Sequence, residues 1–65
     1  MFEVFFVGGK LDGITLARYD SQVLATEIAR FLQRKLDEAR EHEGVEILCD
    51  GCGVADENGN LIENW

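Results

Sequence analysis

Two cysteines three positions apart, Cys49 and Cys52, sit in the run Cys49-Asp50-Gly51-Cys52-Gly53. That spacing lets two thiolates bite one metal ion, and the glycines permit a tight turn that frees backbone N–H groups to face sulfur. The single histidine, His42, lies upstream near the expected end of a helix, and Asp50 and Asp56 offer oxygen ligands nearby. The candidate metal ligands are therefore Cys49, Cys52 and His42, with zinc as the ion. A closed tetrahedral site needs four ligands, so a four-cysteine site would have to be shared across a dimer. A redox dithiol is the weaker chemistry, because reactive pairs of this kind sit at a helix N-terminus and this pair follows an expected strand. The plain alternative is no cofactor at all, with two free thiols and Cys49 partly in the core.

The five-residue cysteine run resembles one knuckle of a zinc ribbon or zinc finger, and no second knuckle follows it. The other local motifs carry less. Asp56-Glu57-Asn58-Gly59-Asn60 begins like a calcium loop, but Leu61 stands where the loop needs glycine, and a hairpin turn explains these residues better. Gly8-Gly9-Lys10 lacks the spacing of a phosphate-binding loop and reads as a turn. Ser21 is the only serine and falls at a helix start. No nucleophile, base and orienting acid occur together, so the chain is expected not to be an enzyme.

The elements that must position these residues are few. A chain of 65 residues means one domain, 1–65, and a chain this short buries only about 60% of its unfolded surface. Phe2 to Val7 reads as a strand, apolar on both faces and ending at Gly8-Gly9. Ile14 to Tyr19 reads as its hairpin partner. Asp20, with Ser21 competing, caps a long helix that runs to Gly44. Its apolar stripe is Leu24, Ile28, Phe31, Leu32, Leu36 and Ala39. Lys35 and His42 share the stripe by phase, and Glu27–Arg30 and Arg34–Glu38 are expected surface pairs. Val45 to Asp50 alternates as a third strand, Cys49 to Gly53 makes a tight turn, and Asn58-Gly59 turns a short terminal hairpin. The expected fold class is α+β: a small antiparallel or mixed sheet of three to four strands, ordered β-β-α-β with a short C-terminal hairpin, packed on one long helix. One helix covers one sheet face, which leaves Phe5, Val7, Leu48 and Trp65 in need of another cover. A partner protein or a second copy would supply it.

Charge is unevenly spread. Residues 1–36 hold four acids and five bases, for +1, and residues 37–65 hold nine acids and one base, for −8, which together give the net −7. An acidic half repels nucleic acid and anionic membranes and attracts basic surfaces. The acidic residues of the helix end and the strand after it, Asp37, Glu38, Glu41, Glu43, Glu46 and Asp50, form the expected partner-binding surface. The N-terminus has no positive segment before its apolar run, and no stretch is long enough to span a bilayer, so the expected compartment is the cytoplasm.

These features lead to a small acidic, non-catalytic binding protein that acts through protein–protein association. Its partner would have a basic surface, and a homodimer or higher homo-oligomer is expected, with no direct contact to nucleic acid or membrane. In size and acidity the chain resembles the accessory and inhibitor proteins that bacteriophages and mobile elements encode. Some of those cover a basic cleft of a host protein, which implies the host cytoplasm as the place of action. The alternative is a zinc-stapled module built on Cys49 and Cys52.

Overall fold

The structure, a computed structural model, describes residues 1–64; Trp65 and the side chain of Asn64 lie outside the described residues. The elements are β1 (Phe2–Val7), a single 3-10 turn (Gly9–Leu11), β2 (Thr15–Tyr19), α1 (Gln22–Arg40), β3 (Gly51–Ala55) and β4 (Leu61–Asn64). All neighbouring strands are antiparallel, in the order β2-β1-β3-β4, and α1 packs on one face. This is the small α+β fold, four-stranded sheet and single long helix, that the hydropathy pattern predicts.

The first hairpin follows from its turn chemistry. Gly8, Gly9 and Gly13 all take positive φ, and the Asp12 carboxylate accepts from Gly8 N at 2.6 Å. At Gly8 a side chain is excluded twice over, because a Cβ there would also fall on the Asp50 carboxylate. The second hairpin is built by Asp56, whose carboxylate accepts from Asn58 N and Asn60 N, each at 2.9 Å. Gly59 supplies the left-handed residue at φ 82. These bonds hold the Asp56 carboxyl below its ordinary range.

The helix starts and stops inside its expected limits. Ser21, not Asp20, is the N-cap, with its hydroxyl accepting from Leu24 N at 3.3 Å. The last turn closes at Arg40 rather than running to Gly44. Glu41 N and His42 N bond to carbonyls only three residues back, and Arg40 reaches across to donate to the Asp50 carbonyl. The helix has 19 residues and so is about 28 Å long.

Its buried face is also rotated from the expected one. Ala25 and Ala29 are fully buried, flanked by Ile28 and Leu32, whereas Leu24 and Phe31 of the expected stripe lie exposed. The reason is distance. Two alanines one turn apart let the helix backbone settle close on the sheet, and leucine and phenylalanine in their place would hold it off. The core is accordingly made of small side chains: Val4, Ala25, Ala29, Cys52 and Val54, with Phe2, Tyr19, Ile28, Leu32 and Ile62 packed around them.

The third strand is the main departure from the sequence reading. Val45–Asp50 is not a strand; it is an irregular segment tied down by Leu11 N to Leu48 O at 3.0 Å and Asp50 N to Val7 O at 2.8 Å. The strand is Gly51–Ala55, which was expected to begin as a turn, and all five of its residues are buried. Glycine ordinarily weakens a strand unless something approaches closely. Here a Cβ on Gly53 would stand 2.9 Å from Phe5 Cζ, so the Phe5 ring occupies the space a side chain would need. The other face of β1 and β3, carrying Glu3, Phe5, Val7, Gly51, Gly53 and Ala55, is covered by no helix. The single helix thus covers one face of β1, as expected, and leaves Phe5 and Val7 on the other; Trp65, also expected to need cover, lies outside the described residues.

Candidate functional site

The sequence points first to the cysteine pair. The strand assignment places Cys52 at the centre of the sheet, facing α1, where its thiol donates to Ala29 O at 3.0 Å. Cys49, in the segment leading into β3, is also buried, and both are free thiols. Burial pushes the Cys52 thiol up from its ordinary value, the neighbouring Cys49 adds to the rise, and the backbone N–H of Gln33 offsets part of it. A thiol held protonated is a poor nucleophile and must lose its proton before it can bind metal. His42 is exposed beyond the helix end. Among the described residues no three or more His, Cys, Asp or Glu side chains converge as a metal-holding group. What the arrangement does chemically is fill a dry gap between helix and sheet with a small, polarizable group.

The acidic residues are brought together at one end. Asp37 and Glu38 lie on the last turns of α1, and Glu41, Glu43, Glu46 and Asp50 follow along the segment that returns to the sheet. All six are exposed. Three are engaged: Asp37 with Arg40 at 3.0 Å, Glu38 with Lys35 at 3.2 Å and Glu46 with Lys10 at 3.5 Å. These are surface pairs, each worth at most about 1 kcal/mol. Glu41 and Glu43 enter no ion pair among the described residues. Six acids against three bases leave this end negative. Where the sequence suggests Glu27–Arg30 and Arg34–Glu38, the ion pairs among the described residues are Arg30–Glu63 at 4.0 Å and Lys35–Glu38, and Lys35 sits 5.5 Å above the Phe31 ring.

Apart from Leu48, sequence reasoning missed the apolar side chains left open along the helix and the acidic segment. Phe31 is 51% exposed, Leu24 lies two turns before it on the same flank, and Val45 and Leu48 stand open on the acidic segment. Ile14 and Leu16 are open along the β2 edge. The signal was present in Ala25-x-x-x-Ala29, since small residues one turn apart define an alternative buried stripe and push the large ones aside. A second feature had no sequence signal. A groove of about 490 Å³ lies between α1 and β4, lined by Gln22, Val23, Thr26, Glu27, Arg30 and Glu63. It exists because α1 packs mainly over β1 and β3 and leaves β4 largely uncovered.

No helix among the described residues is long and apolar enough to cross a membrane. Compared with known protein families, curated proteins and solved structures, the chain matches none.

Proposed function

We propose that this chain is a small acidic, non-catalytic binding protein that docks on a protein partner with a basic surface. One observation carries the reading: large apolar side chains remain exposed while the core is built from small ones, with Val45 and Leu48 on the acidic segment itself and Phe31 and Leu24 along the helix that leads into it. A surface with open apolar residues and a charged border has the make-up of an interface, apolar at its centre and polar at its rim. The acids steer and select a basic target, and the apolar groups supply most of the affinity. An inhibitor or accessory protein of the kind that phages and mobile elements encode, covering a basic face of its target, would work in this way.

The test is a pull-down with the intact chain as bait, followed by titration of the captured partner. The triple variant E41Q/E43Q/E46Q is expected to weaken binding roughly tenfold at low salt, since three rim charges contribute about 0.5 kcal/mol each. Added salt should erase most of that difference. A partner that binds the triple variant as tightly as the parent chain would overturn the electrostatic part of the reading.

A further inference from the structure

We propose that the groove between α1 and β4 receives an extended, lysine- or arginine-bearing segment of a partner protein, which adds to the sheet as a fifth strand beside β4. The inference rests on the association reading above and assigns a second contact on a different face.

Four observations carry it. β4 is a sheet edge: among the described residues it pairs with β3 on one side only, and no strand lies along its other side. Exposed edges of this kind are templates for strand addition, with main-chain bonds giving affinity and side-chain pockets giving selectivity. The groove of about 490 Å³ runs beside that edge on the helix side, so an added strand would have somewhere to place its side chains. Val23, 69% exposed on the helix wall, and Leu61, 57% exposed at the start of β4, are open apolar contacts for such a strand.

The fourth observation sets the chemistry. Glu63 projects from β4 into the groove, and its carboxylate is poorly satisfied where it lies. One oxygen stands 4.0 Å from the Arg30 guanidinium, and the other is shut off from solvent with no hydrogen-bond partner. A carboxylate in that state gains by rotating onto a donor brought into the groove. A lysine or arginine fits best, laying its aliphatic stem along Val23 and its charge on Glu63. A second copy fits worse as the occupant, because it would set another Glu63 against this one and bring together two chains of net charge −7.

The experiment uses the 15N-labelled intact chain and three acetylated, amidated hexapeptides of alternating threonine and valine. One carries a central lysine, one a glutamate in its place, and one a proline that cannot pair as a strand. The lysine peptide is expected to shift, saturably, the amides of Leu61–Asn64 and of Gln22–Arg30. The glutamate peptide should bind at least fivefold more weakly, and the proline peptide should leave β4 unmoved. Glu63→Gln should weaken the lysine peptide about three- to fivefold. The variant E41Q/E43Q/E46Q should bind it like the parent, which separates failure of this site from failure of the acidic one. The proposal is overturned if the lysine peptide gives no shifts at millimolar concentration, or if glutamate and lysine peptides bind alike. It is also overturned if the shifts fall on Thr15–Tyr19, or if concentrating the chain alone reproduces the β4 shifts, which would make a second copy the occupant.

Discussion

At the residue scale, Cys52 joins the sheet to the helix. Its sulfur fills the gap beside Ala29, and a serine there would bury a hydroxyl in place of a thiol. Cys52→Ser is expected to lower unfolding stability by about 1–3 kcal/mol in a denaturant titration. Loss of stability in that variant does not discriminate a core thiol from a zinc ligand, but a chelator does. A core thiol predicts that the parent chain melts at the same temperature with and without chelator, and a chelator-induced drop would restore the zinc-stapled alternative. The raised thiol of Cys52 gives a pH dependence with a definite sign. Because the folded-state value lies above the unfolded one, the unfolded chain loses its proton first as pH rises. The stability this group contributes is therefore present below the ordinary thiol range and is lost as pH climbs through the folded value. Cys52→Ala should flatten the alkaline arm of a stability–pH profile. Asp56 behaves in the opposite sense. Its carboxyl is held low by Asn60 N first; desolvation opposes this, and the bond from Asn58 N helps to outweigh it. Its contribution is present above the ordinary carboxylate range and is lost as pH falls through the depressed value. Asp56→Asn should thus destabilise the chain at neutral pH and show a shrinking difference from the parent as acid is added.

At the scale of elements, the helix decides what the molecule shows to others. Turning it so that Ala25 and Ala29 face the sheet brings the backbones close and leaves Leu24 and Phe31 outside. Two substitutions distinguish this orientation from the one the leucine stripe predicts. Ala29→Leu should cost about 1–3 kcal/mol by overpacking against Cys52 and Val4. Phe31→Gln should change stability by no more than about 0.5 kcal/mol, because the ring is half in water already. The reverse ranking in thermal or denaturant melts would mean that Phe31 belongs to the core. The same placement of α1 over β1 and β3 opens the groove along β4, so the buried alanines and the exposed edge share one cause.

At the scale of the whole molecule, a net charge of −7 on so small a chain works against self-association, while the open apolar flank works for it. Screening should tip that balance: the average mass from sedimentation at micromolar concentration is expected to rise with added salt, and Phe31→Gln should remove the rise if α1 carries the contact. Much of this protein was legible in its sequence. The strand Phe2–Val7, the hairpin glycines, the Asp56–Asn60 turn, one long helix and the concentration of acid beyond residue 36 follow from local chemistry: periodicity, capping groups and backbone freedom. What only the tertiary structure decided is where elements touch. Val45–Asp50 has the alternation of a strand but finds no partner strand. Gly51–Ala55 has poor strand propensity but becomes the buried centre of the sheet, because Phe5 fills the space above Gly53 and Cys52 fits under Ala29. A turn-like cysteine run thereby became a core strand, since close packing, which local propensity does not encode, outweighs the intrinsic cost of glycine.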